Sequence, residues 1–372
     1  MLRFIGERAL HALVVVVLAA TGAFSLMEAV PGDSAASAVG PGATAEQYQL
    51  AREEMGLDEP VASRFADWAG GLASGDLGNS LIPPNQPVIE MIGNALPVTM
   101  QLAFLSIILS LAIAVPVAVW SAYRRGGVFD QVASLVAFAF ISVPSFVAGL
   151  LLIYLFVFNH SLAQQLILGA AVVIGLLVAL SPIGRRGNRG SPGVMWGRAL
   201  LSGLAVGAVL ALAALFLPEF PRQGYAPLAE GLGENLRSIA LPAITLALME
   251  VAIFTRVLRT DMIATLQQDF VLSARAKGMP TRHVLVAEAL RPSPISIITL
   301  AGRILRRLAR GTVVVARLFN LPGMGSMIVD AVQNDNLPVV LGGVLVIAVF
   351  YVLVNMIVDV TYALIDPRIR RG

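Results

Sequence analysis

Residues 98–120 read VTMQLAFLSIILSLAIAVPVAVW, an uninterrupted apolar run without a charged side chain. A helix needs about 20 such residues to cross the hydrocarbon core of a bilayer. The same criterion applied outward finds seven further candidates: Ala9–Val30, Val132–Phe158, Leu162–Leu180, Ala199–Leu217, Ile239–Val257, Ile295–Phe319 and Val339–Leu364. Composition agrees. Of 372 residues 57% are hydrophobic and only 13% charged, and mean hydropathy is +0.80, whereas an ordinary soluble domain carries roughly 25% charged residues. The chain is read as an all-α, polytopic membrane protein.

Loop charges test the count, because Lys and Arg concentrate in short cytoplasmic loops. With Arg3 and Arg8 inside, the next inside loop holds Arg124 and Arg125. The following one, SPIGRRGNRGSPGVMWGR (181–198), carries four arginines and no acid. The loop after the sixth span holds Arg259, Arg275, Lys277, Arg282 and Arg291, and the tail Arg368, Arg370 and Arg371. The outside segment Pro31–Pro97 has two arginines against nine acidic residues, a net of −7. Eight spans with both termini cytoplasmic fit every loop. The apolar run of the first span is longer than a signal-peptide core, so an uncleaved span is expected.

Three parts follow: an N-terminal span (1–30), an extracytoplasmic loop (31–97) and a transmembrane core (98–372). Within the loop, ATAEQYQLAREEMGL (43–57) reads as a helix, with Thr44 and Gln47 spaced as a capping box. Within the core, Gly203-x-x-x-Gly207 is a spacing that allows close helix contact.

The longest inside loop, about 259–292, contains QQDFVLSARAKGMPTRHVLVAEALRPSP (267–294). Two short helices are expected there, broken near Gly278-Met279-Pro280, since glycine ends helices and proline starts them. A compact charged elbow at a membrane surface suits docking of another protein; the plainer alternative is a solvated loop.

SARAKG (273–278) followed by HVLVAEALRPSPISIITLAG (283–302) resembles the cytoplasmic loop of ABC-importer permeases, most of all those of the dipeptide, oligopeptide and nickel importers. Further stretches agree in order along nearly the whole chain: LRFIGERAL (2–10), EAVPGDSA (28–35), MGLDEP (55–60), GDLGNS (75–80), ISVPSFVAGLLLIYLF (141–156), GLGENLRSIALPAITLAL (231–248), FNLPGMGSMIVDAV (319–332) and DVTYALIDPRIR (359–370). The resemblance implies a type I importer permease in the bacterial inner membrane. Its implied partners are a second permease, making a heterodimer, two ABC ATPase subunits, and an extracytoplasmic substrate-binding protein. No cofactor is implied for this chain, since ATP and magnesium would be bound by the ATPases.

The resemblance also places an ATPase-docking loop on Leu272, Ser273, Ala274, Arg275, Lys277, Gly278 and Glu288. Small residues such as Ser273 and Ala274 would admit a partner closely, and Gly278 can adopt the positive φ of a tight break. Leu272 departs from the family, which carries an acidic residue or arginine there. A second departure is a pair of spans, about 162–217, inserted into a six-span core. It either shields that core or docks an accessory membrane subunit.

The third departure is AGRILRRLARG (301–311), four arginines inside an otherwise apolar segment. On one helix Arg303, Arg306, Arg307, Arg310 and Arg317 share an arc of roughly 100°. Each arginine at mid-bilayer costs on the order of 2.5–3.5 kcal/mol, so four facing lipid would cost roughly 10 kcal/mol or more. The stripe must face water, a partner or acidic groups; Glu250 and Asp359 are the intraspan acids. It either lines a path for anionic substrates or peptide carboxylates, or pairs against the second permease.

Other functions find less support. A phosphate-binding loop of the G-x-x-x-x-G-K-[ST] type is missing, because the sole lysine, Lys277, lacks its spacing. The three histidines are scattered and form no H-E-x-x-H motif. Cysteine is absent, which removes disulfides and thiolate chemistry. The arginines are dispersed over membrane-adjacent loops, so no nucleic-acid surface is expected. A passive channel or scaffold is the remaining alternative, against which the docking loop argues.

Overall fold

The computed structural model describes residues 2–29, 34–40, 42–179, 192–221, 223–290, 301–302 and 313–365. Among them the structure is helical, with one isolated antiparallel bridge, Asn79–Pro87. In chain order the helices are α1 (Leu2–Ala29), α2 (Ser34–Val39), α3 (Ala45–Glu54), α4 (Val61–Ala73), α5 (Val88–Tyr123), α6 (Val128–Ser142) and α7 (Ser145–Ile153). After these come α8 (His160–Ala179), α9 (Pro192–Leu215), α10 (Leu232–Thr265), α11 (Asp269–Ala276), α12 (Thr281–His283), α13 (Met324–Gln333) and α14 (Leu337–Ile365). Six of the eight expected apolar segments fall on single helices, and a seventh, Val132–Phe158, falls on a broken pair. The eighth, Ile295–Phe319, lies mostly outside the described residues, which include only 301–302 and a helical stretch at 313–318. Three described helices are long and apolar enough to cross a bilayer (Val88–Tyr123, Leu232–Thr265 and Leu337–Val358), and Val128–Ser142 with Ser145–Phe158 forms an apolar pair bent by 101°, the geometry of a broken span or a re-entrant loop.

That break corrects the sequence expectation of one span over Val132–Phe158. Pro144 has no N–H to give to a helix and pushes Val143 into an extended conformation, with ψ 120°. The chain resumes as α7, which widens into a π turn, Tyr154–Phe158.

Two compact units are present, Met1–Phe146 with Pro242–Gly372, and Val147–Leu241. In the first, α5 carries a stripe of small buried residues at helical spacing: Ser106, Ser110, Ala114, Ala118 and Ala122. Small side chains let a neighbouring backbone come close, and the Ser110 hydroxyl donates to the Ala247 carbonyl of α10 at 3.3 Å. The opposite face, with Ile108 and Ile113, is exposed. Helix α1 packs along α14. Its C-terminal end is held to α4 by Phe24 against Phe65 and Trp68, with centroids 5.3 and 5.8 Å apart, and by a fork from Arg64 to Glu28 at 2.9 and 2.5 Å. Nearby, the expected capping box forms: Gln47 N–H donates to Thr44 Oγ1, and Thr44 N–H to Gln47 Oε1.

The segment after residue 318 is a helical hairpin. Asn320, at φ 52°, ends the preceding helix, and Asp335, at φ 50°, ends α13. Both turns carry the paired bonds of a Schellman motif, Leu321 N–H to Ala316 O and Asn336 N–H to Ala331 O among them. Met324 N–H donates to Thr99 Oγ1 at 2.9 Å. Buried Asn336 donates to Ser80 Oγ and accepts from Leu81 N–H, tying the segment before α5 to the start of α14.

In the second unit, α8 and α9 form a tight pair at the glycines the sequence singled out. A Cβ added at Gly203 would lie 2.5 Å from Gly175 O and 2.9 Å from Ala179 N, and one at Gly207 would lie 3.4 Å from Ala171 O. We expect Gly203→Leu to destabilise this pair by about 1–3 kcal/mol through overpacking, with Gly207→Ala close to neutral. Detergent melting curves of the two variants check this; equal shifts would exclude the contact.

Candidate functional site

The basic elbow is built from the end of α10 onward. Beyond Thr265 the chain turns through Leu266–Gln268, and α11 starts with Asp269, whose charge favours a helix N-terminus. Helix α11 ends in a Schellman motif: Gly278 N–H donates to Arg275 O and Met279 N–H to Ala274 O, with Gly278 at φ 75°. Pro280, extended at ψ 142°, starts α12, which runs into a π turn, Val284–Ala289. The two helices and their break near Gly278-Met279-Pro280 therefore stand as the sequence predicts.

The elbow has two faces. Val271, Ala274, Val284, Leu285 and Ala289 are buried against Met262 of α10, Leu266 just beyond it and Ala122 of α5. Leu272, Ser273, Arg275, Lys277 and Gly278 are exposed, and Glu288 is half-buried, 3.6 Å from His283 Nε2. Ala274 differs from the rest of the expected docking set. It is 5% exposed, and its small size lets the elbow sit close to the chain's own helices.

Of the arginine stripe, Arg303, Arg306, Arg307 and Arg310 lie outside the described residues. Arg317 stands on the last turn of the 313–318 helix, its Nη2 2.5 Å from Asp330 Oδ1 and 3.3 Å from Gln333 Oε1, with both charges partly exposed. It has a local partner on α13 that the sequence reading did not foresee. Glu250 is buried on α10, between buried Thr245 and Thr255. Asp359 lies on α14, and its side chain falls outside the described residues.

A buried polar cluster beside the elbow was missed in the sequence. Asp130, in the first turn of α6, accepts from Arg259 Nε at 2.5 Å and from Nη2 at 2.7 Å. It also accepts from Gly126 N–H at 2.8 Å and from the Ser121 hydroxyl. One carboxylate thus joins the end of α5, the following turn, α6 and α10. Arg256, one turn earlier on α10, lies over the Phe138 ring of α6 at 5.1 Å. A signal was available: a lone acid opening one apolar run and two arginines, Arg256 and Arg259, closing another, both next to basic loops.

Comparisons with known proteins bear on the whole chain. A family model described as "binding-protein-dependent transport system inner membrane component" matches residues 192–371, and the N-terminal model of the same system matches residues 1–103. A peptide transport system permease protein of Brucella abortus is 31% identical over 98% of both chains. A dipeptide transport system permease protein of Lactococcus lactis is 28% identical over the full length of both. A D,D-dipeptide transport system permease protein of Escherichia coli is 32% identical over 94% of this chain and 92% of its own.

Proposed function

The chain belongs to the family of binding-protein-dependent transport system inner membrane components, and from that premise we propose that it is the membrane-spanning permease subunit of an ATP-driven peptide importer. It shares its solute path with a second permease and receives solute from an extracytoplasmic binding protein. Two ATPase subunits dock on its elbow, and they hold the ATP and magnesium; this chain itself catalyses no reaction. Both termini are cytoplasmic, because the elbow and the other basic loops then share one side.

The observation that supports this reading best is the construction of the elbow. Its apolar side is sealed on α5 and α10, while Leu272, Ser273, Arg275, Lys277 and Gly278 stand outward with Glu288 at the margin. A solvated loop needs no such underside, and a passive channel has no use for a rigid basic ridge outside its pore. Leu272, 50% exposed, is the apolar anchor on that ridge. Replacing a central interface anchor costs about 2 kcal/mol or more, so Leu272→Asp should reduce co-purification of the ATPases with this chain by more than tenfold. Val286, in the π turn, is a second exposed apolar residue of the elbow, and unchanged co-purification of both Leu272→Asp and Val286→Asp would sink the docking assignment.

The finer part of the proposal concerns the solute. The arginines at 303, 306, 307 and 310 exceed the intraspan acids, so positive charge remains for anionic peptides or peptide carboxylates. The same excess disfavours a metal cation as cargo.

A further inference from the structure

We propose that the Asp130–Arg259 pair is the joint through which the elbow and α6 move as one body, making Asp130, Ser121 and Arg259 positioning residues for transport. This rests on the reading of the elbow as the ATPase-docking surface. Three observations carry it. First, α6 buries only Asp130 and Ala137 within this chain, so little apolar packing fixes it. Its position against α5 and α10 is set by four directed hydrogen bonds on one carboxylate.

Second, both anchors of the joint sit beside residues that pack the elbow. Ser121 adjoins Ala122, and Arg259 lies one turn before Met262; Ala122 and Met262 belong to the apolar cluster with Val271, Ala274 and Val284. A displacement of the elbow therefore travels along two short, rigid helix ends into Asp130. Third, the chemistry suits a joint better than a source of stability. A buried ion pair contributes little net stability against an apolar replacement, but a bidentate guanidinium–carboxylate fork admits only one orientation. Apolar contact alone would let α6 slide.

The chain has no cysteine, so pairs of spin labels can be placed freely. Labels at Gln267 and Val132, both exposed, read elbow to α6, and labels at Gln267 and Val314 read elbow to a helix outside the cluster. The complete importer with its ATPases is compared nucleotide-free and trapped with ATP and vanadate. In the native chain trapping should shift the Gln267–Val314 distance and leave Gln267–Val132 unchanged. In Asp130→Asn, and in Arg259→Lys, which keeps the charge but loses the fork, trapping should also shift Gln267–Val132. A merely stabilising pair would lower the yield of complex without moving that distance. If Gln267–Val132 stays fixed in both variants, or already shifts in the native chain, the joint is refuted. If Gln267–Val314 never shifts, the docking reading itself fails and the joint with it.

Discussion

Gly278→Val should reduce uptake of a labelled short peptide by about tenfold or more, while Gly278→Asn should retain most of it. The reason is conformational and not steric, since nothing lies within 4 Å of a Cβ built at this position. Gly278 stands at φ 75°, a region that costs an L-residue roughly 1–2 kcal/mol; β-branched residues suffer most there and asparagine least. Valine would escape by moving φ negative. That abandons the bonds from Gly278 N–H to Arg275 O and from Met279 N–H to Ala274 O, and it redirects Pro280 and α12. The elbow would then lose the angle at which Val284 and Leu285 seal against Met262 and Leu266, and with it the presentation of Leu272 and Lys277 to the ATPases. Uptake per membrane-inserted permease, quantified by immunoblot, is the measurement. Equal uptake by the two variants would mean that docking tolerates a different elbow angle.

What the sequence made legible, and what it hid, divides along range. The Thr44–Gln47 capping box, the Gly278 break and the small-residue face at Gly203 and Gly207 all follow from residues a few positions apart, where one turn of helix decides the geometry. Helix lengths were less legible. Helix α5 begins at Val88 and passes through Pro97 and Pro116, and α10 begins at Leu232 and passes through Pro242. Apolar windows mark where a bilayer fits, and helices run beyond it. The break at Val143-Pro144 was readable from proline chemistry and was outweighed by the length of the apolar run. Long-range pairs were hidden. Asp130 meets Arg259 across 129 residues and Asn336 meets Ser80 across 256, and no periodicity in either segment points to its partner. Ala274 shows a further limit: a small residue permits close approach but does not say by what.

Replacing Arg306 and Arg307 together by glutamine should selectively impair uptake of acidic peptides. Four arginines at mid-bilayer would lose roughly 10 kcal/mol or more if they faced lipid, so the native protein must offer them water, a partner or anions. Buried Glu250 and Asp359 of α14 can neutralise two at most. In a narrow site of intermediate dielectric, a charge at about 4 Å contributes up to about 4 kcal/mol, and about 1.4 kcal/mol is a tenfold change in affinity. Removing two charges from a path should therefore weaken competition by acidic peptides about tenfold or more, while neutral peptides change little. Arg317→Gln is the control, because Arg317 already pairs with Asp330 at 2.5 Å and should not distinguish peptides by charge. If the double substitution instead depresses acidic, neutral and basic peptides alike, the stripe is a seam against the second permease. The charge of the solute is then set elsewhere, by that subunit or by the binding protein.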